Sequence, residues 1–259
     1  MNTDQPVIQL QNVFQSYGST PVLKGIDLSV SAGQVVGYIG PNGAGKSTTL
    51  KILIGMLPDF TGEVRVLGMD VKTQSLDIKR RIGYVPENAA LYDTLTPMEY
   101  LNFLGQLYEL DPAHIERKAL ELLRLFQLSD HAHARMTTFS KGMRQKVLLI
   151  SGMLHNPDVI FLDEPLSGLD ANAVVLVKEI IRQLANGGKT IFYSSHIMDV
   201  VEKISDRIII LAQGQVVAQG TFRELQQQNT GSLEQLFAQL TGSDTQTGVA
   251  EEFIHTINQ

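Results

Sequence analysis

Nine consecutive residues, Gly40-Pro41-Asn42-Gly43-Ala44-Gly45-Lys46-Ser47-Thr48, restrict what this chain can fold into more than any other part of it. They match the P-loop pattern, a glycine-rich turn leading from a buried strand into a helix. The flanks agree. Val35–Ile39 is a short apolar run suited to a buried strand, and Lys46–Gly55 reads as a helix ended by Gly55 and Pro58. Glycines allow the backbone to curl until successive N–H groups point inward, and the helix adds the positive end of its dipole. Such a cradle takes phosphate. Lys46 adds a mobile positive charge for the β- and γ-phosphates of ATP, and Ser47 a hydroxyl ligand for Mg2+.

Val159-Ile160-Phe161-Leu162-Asp163-Glu164 supplies the other half of such a site. Four apolar residues make a buried parallel strand, whose carboxyl end presents two adjacent acids. Asp163 is suited to hold Mg2+ through its water shell, and Glu164 to orient and deprotonate an attacking water. MgATP hydrolysis follows as the expected reaction.

The rest of the chain arranges itself around these two segments. Val7–Val13 and Leu23–Val30 alternate like strands, Glu63–Leu67 and Ile82–Val85 are further short ones, and Thr190–Ser194 is another. Ile208–Leu211 and Gln215–Ala218 form a hairpin around Gln213-Gly214, and Val174–Leu184 a helix. From Pro97 to His155 the pattern is helical, with Met98–Leu107 and Ile115–Phe126 apolar at three- and four-residue spacing and Asp111-Pro112 as a helix start. Ser140 stands at the N-cap of another helix, before the apolar-periodic run Val147–Leu154. The class is α/β, a core sheet with a helical insert.

At 259 residues the chain suits one large domain, and no run approaches the length of a bilayer span. A soluble protein is expected, with any membrane role coming through a partner. The absence of cysteine excludes disulfides and thiolate metal sites, which suits the cytosol. A net charge of −6 without long Lys/Arg runs argues against a nucleic-acid partner.

Phe139-Ser140-Lys141-Gly142-Met143-Arg144-Gln145 resembles the signature loop of the ATP-binding-cassette (ABC) ATPases, which usually reads Leu-Ser-Gly-Gly-Gln; the Ser and second Gly are retained. Ser167-Gly168-Leu169-Asp170 looks like the family's D-loop, His196 like its switch histidine, and Tyr17 like its adenine-stacking aromatic. The series runs from about Val7 to Gly220.

The resemblance implies a P-loop NTPase core sheet, an N-terminal antiparallel β-subdomain and a helical subdomain. The corresponding division is an ATPase domain over 1–240, with its core at 1–87 and 156–222 and helical part at 88–155. A C-terminal helix and flexible tail would occupy 223–259. It also implies a head-to-tail homodimer around two MgATP, in which Ser140, Lys141, Gly142 and Met143 meet the nucleotide of the opposite subunit. The Leu233–Gly242 tail, the Pro86-Glu87 pair and the Ser-Lys-Gly-Met-Arg-Gln run are similar to an exporter branch that pairs this subunit with a separate membrane permease. The cytoplasmic face of the cell membrane is then the expected location, and Asn88–Tyr100 the expected contact with the permease. Rival readings are a soluble cassette ATPase of DNA repair or translation, and a non-catalytic nucleotide sensor.

Glu87 departs from the family's usual Gln, bringing an anion where a neutral carbonyl oxygen would meet Mg2+; its place in the metal's shell is open. His131 and His133 read as a solvated turn, Lys79-Arg80-Arg81 as a solvated helix end or a partner contact, and Glu251–Ile257 as a possible short docking helix.

Overall fold

The computed structural model describes residues 6–87, 91–228, 232–242 and 255–257. β1 (Ile8–Tyr17) and β2 (Thr20–Val30) form an antiparallel hairpin, followed by β3 (Val35–Ile39) and α1 (Lys46–Leu53). β4 (Thr61–Val66) and β5 (Met69–Asp70) return to the hairpin and complete a four-stranded sheet in the order β2-β1-β4-β5. α2 (Ser75–Arg81) leads into β6 (Ile82–Val85). Three longer helices come next: α3 (Pro97–Leu107), α4 (Pro112–Leu125) and α5 (Lys141–Met153). β7 (Val159–Asp163), α6 (Ala171–Asn186), β8 (Thr190–Ser194) and α7 (Met198–Ile204) rebuild the core. β9 (Arg207–Ala212) and β10 (Gln215–Gly220) form a closing hairpin, and α8 (Phe222–Gln228) and α9 (Leu233–Thr241) follow it.

The second sheet has six strands in the order β10-β9-β3-β8-β7-β6, parallel from β9 to β6 and antiparallel only at β10. Every residue of β3, β7 and β8 is buried, as parallel strands covered on both faces require. Alternation then divides their side chains between two cores. Val159 and Phe161 join the side built with α1 and the antiparallel sheet, and Ile160 and Leu162 the side built with the later helices.

β1 runs four residues past its expected end because a bulge lies inside it. Asn12 takes φ 50°, the register shifts between Leu10 and Val13, and the buried face moves from Ile8 and Leu10 to Val13 and Gln15. A strict period of two breaks at that point. α2 and α7 are seven residues each, too short for a helical period to stand out, and only the basic end of α2 marks it in the sequence.

Side chains cap all three of the longer helices, and at α4 and α5 the cap is the one the sequence places there. Thr96 and Glu99 form a capping box at α3, Asp111 accepts from His114 N–H at α4, and Ser140 accepts from Met143 N–H at α5. α5 lies hard against β6: a methyl on Gly83 would run into the carbonyl oxygen of Gly152. Among the described residues no helix is long and apolar enough to cross a membrane.

Candidate functional site

The P-loop is wedged between two strands, and glycine is what lets it fit. Gly45 takes φ 109°, and a side chain there would come within 2.6 Å of the Leu23 side chain in β2. A methyl on Gly40 would run into the carbonyl oxygen of Leu211 in β9. Lys46 folds over the turn, its Nζ donating to the carbonyls of Gly40 at 2.6 Å and Pro41 at 3.2 Å. Behind the loop, Thr49 Oγ1 donates to the Gly45 carbonyl at 3.0 Å and lies 3.0 Å from the Tyr38 hydroxyl. Thr49 has one hydroxyl proton and spends it on Gly45, so Tyr38 is the donor in the second bond.

β7 and β8 are parallel and in register at their ends, where Asp163 faces Ser194. Ser194 Oγ donates a short hydrogen bond to Asp163 Oδ1, and both residues are buried. The Glu164 N–H donates to the Ser194 carbonyl at 3.2 Å and lies 3.3 Å from its Oγ. Glu164 takes φ 48°, a left-handed conformation uncommon outside glycine. Its Oε2 sits 2.8 Å from Nδ1 of His196, which follows β8 by two residues. The Glu164 side chain is only 12% exposed against 71% for His196, so the acid is screened from water and the imidazole faces it.

The charges converge on the P-loop lysine. Burial lowers the Lys46 pKa, while Glu164, Asp163 and Glu87, in that order, raise it. All three acids therefore lie within electrostatic reach of one ammonium group. Glu87 itself is exposed, two residues past the end of β6. The Tyr84 hydroxyl is pushed up to about 12, first by burial and then by Asp163. Ser47 is exposed beside Lys46, and Ala44 and Thr48 are buried.

Tyr17 ends β1 opposite Thr20, half-exposed, on the strand pair whose Val22 and Leu23 abut Gly45. Ser140 is exposed at the start of α5. That helix is fastened to the loop after β7: Gln145 Nε2 donates to the Pro165 carbonyl at 3.2 Å, and Lys146 pairs with Asp170 at 3.6 Å. Asp170 also caps α6, and the Ala173 N–H holds its carboxyl below the usual range.

Tyr38, Thr49, Ser194 and Gln145 support the site without a signal in the sequence; a buried polar residue near a motif is visible as such only once its partner is known. His131 packs its ring edge-on against Phe139, and no group of three or more possible metal ligands occurs among the described residues. Of the basic run, Arg81 pairs with Asp158 at 2.8 Å and Arg80 with Glu109 at 3.4 Å, so these two cations are used within the chain. Of the expected tail helix, His255, Thr256 and Ile257 are helical, and 251–254 lie outside the described residues.

A phosphate-cradling loop facing an Asp–Glu pair at the end of a neighbouring parallel strand defines a P-loop nucleoside triphosphatase. The family model for ABC transporters matches residues 23–167, and the chain belongs to that family. It is an ATP-binding, ATP-hydrolysing subunit of the cassette type. It is 36% identical over 219 residues to the linearmycin resistance ATP-binding protein LnrL of Bacillus subtilis, covering 85% of this chain and 70% of that one. It is 37% identical over 213 residues to the Nod factor export ATP-binding protein I of Rhizobium meliloti, covering 82% of this chain and 64% of the relative. It spans 61% and 57% of the lengths of two cyanobacterial ABC transporter ATP-binding proteins.

Solved structures agree with the fold. The ATP-binding subunit of an ABC transporter superposes with a TM-score of 0.85 at 33% identity, covering 90% of this chain and 99% of that one. The dimeric cassette MJ0796, in a post-hydrolysis state bound to ADP and Pi, superposes with a TM-score of 0.75 at 27% identity, covering 83% and 98%.

Proposed function

We propose that this subunit works as a head-to-tail homodimer that closes on two MgATP and drives export through a separate membrane permease. The observation that carries the permease is a surface of α3. A cavity of about 290 Å3 lies between the core and the helical block, lined in part by Met56, Tyr84, Tyr100, Leu104 and Tyr108. Tyr92 and Phe103 are exposed and meet edge to face at 6.1 Å beside Tyr100. An exposed aromatic cluster bordering a cleft suits a protein partner. It overlaps the described part of the expected contact region; residues 88–90 lie outside the described residues. Relatives named for resistance and for export support the direction of transport.

Within each site Lys46 and the P-loop N–H groups hold the phosphates, and Tyr17 stacks on adenine. Glu164 is the general base, held by His196. The donors fit Mg2+, a hard cation that prefers oxygen: Asp163 keeps Oδ2 free of the Ser194 bond, and the Ser47 hydroxyl is exposed at the loop mouth. Glu87 adds a further carboxylate within electrostatic reach of Lys46. The metal, when bound, neutralises charge on the phosphates. Ser140 and Gly142 of one protomer cap the γ-phosphate held by the other, a contact that ADP cannot make.

A mild-detergent pull-down of the tagged chain from its cells, with mass spectrometry, tests the partner. Stoichiometric recovery of a polytopic membrane protein is expected. Recovery with only ribosomes, DNA or soluble proteins overturns the transport reading and leaves the ATPase intact.

A further inference from the structure

Lys141 stands where the usual signature has glycine, and it reaches across to the loop that follows β7. Its Nζ donates to Ser167 Oγ at 2.9 Å. Its aliphatic stem crosses Gly168 so closely that a methyl on Gly168 would meet Lys141 carbons at 2.9 Å. Gly168 takes φ 77° there. One residue on, a methyl on Gly142 would stand 2.7 Å from the Gly168 carbonyl oxygen, so the two backbones are in direct apposition. The Ser167 N–H in turn donates to the Glu164 carbonyl at 3.1 Å. Two hydrogen bonds therefore lead from the Lys141 ammonium to the backbone of Glu164.

We propose that Lys141 is a positioning residue that locks the start of α5 to the turn carrying Glu164, so that the face receiving the opposite subunit's nucleotide and the chain's own hydrolytic acid move as one body. A glycine at that position could not make this tie. Gln145–Pro165 and Lys146–Asp170 extend the same seam deeper along the helix, which makes the attachment a line of contacts. Lys141 thus acts through Ser167. The proposal rests on the head-to-tail reading above for what Ser140 and Gly142 face.

The test is a double-mutant cycle on the purified full chain, reading steady-state phosphate release across MgATP concentration. Lys141→Met keeps the stem and removes the charge; Ser167→Ala removes the acceptor. Each is expected to lower kcat about fivefold with KM within about twofold, and the double variant to fall no further than either single one. Lys141→Arg is expected to restore most of the turnover. In a Glu164→Gln background, Lys141→Met is expected to leave the MgATP-induced dimer intact by size-exclusion light scattering. Multiplicative losses, unchanged kcat, or a rise in KM with loss of the dimer while Ser167→Ala is silent would each overturn the proposal. If Glu164→Gln alone forms no dimer in MgATP, the head-to-tail reading fails, while the kcat cycle still decides the role of Lys141.

Discussion

Nδ1 of His196 lies 2.8 Å from Oε2 of Glu164, although the end of β8 comes 31 positions after the end of β7 in the chain. The pairing fixes the carboxylate's orientation from the solvent side while the sheet screens it from behind. Glu164→Gln is expected to lower kcat about 100- to 10,000-fold and to keep nucleotide binding, because the amide retains the shape and loses the basicity. Stopped phosphate-release assays beside a binding titration check it, and a fully active variant would remove Glu164 from the role of base.

His196→Ala is expected to lower kcat about 10- to 100-fold with a smaller effect on KM, since the acid is then free to leave the position from which it activates water. Equal loss in KM and kcat, read from saturation curves, would point to nucleotide contact instead of orientation.

Lys46→Ala is expected to weaken ATP binding about 10- to 100-fold by calorimetry, the range for losing one charged hydrogen-bond donor to phosphate. Unchanged affinity would count against the P-loop as the phosphate site.

Stability should depend on the bond behind the loop. Tyr38→Phe removes the donor but leaves Thr49 bonded to Gly45, and should cost about 1 kcal/mol. Thr49→Val strands the buried Tyr38 hydroxyl and should cost more, about 1–3 kcal/mol. Denaturant melts of the two variants give the order, and a reversed order would contradict the assigned donor.

His155 should give the fold a pH dependence near neutrality. Its ring stacks on Tyr108 at 3.6 Å, Nε2 bonds the Ile82 carbonyl at 2.9 Å, and Nδ1 is buried without a hydrogen-bond partner. Burial pulls its pKa below the ordinary 6.5; the Ile82 bond opposes this, and Lys118 and Lys189 add to the lowering. The unfolded chain therefore binds a proton that the folded chain refuses. This contribution is fully present above about pH 6.5 and is lost as pH falls through the lowered folded value. The melting temperature is expected to drop between about pH 7.5 and 5.5, and His155→Gln to flatten that drop. An unchanged slope in the variant would assign the dependence to other groups.

The sequence by itself determined the chemistry and most of the local structure. Gly40–Thr48 and Asp163–Glu164 declare phosphate and water chemistry because those reactions need particular atoms at fixed local spacing. Ser140 and Asp111 mark helix starts because a cap acts within three residues of itself. The bulge at Asn12 and the seven-residue α2 and α7 escaped because each interrupts or shortens the period that a local reading depends on.

Tertiary structure decided what faces what. Strand order places β8 beside β7, bringing Ser194 onto Asp163 and His196 onto Glu164. The close approach of Gly83 and Gly152 sets α5 against the sheet, and the packing of Gly142 on Gly168 ties Lys141 to Ser167. These contacts join residues far apart in the chain, and their existence depends on which surfaces the two cores bury together. Local propensity carries no information about that choice, because it arises from the packing of whole elements.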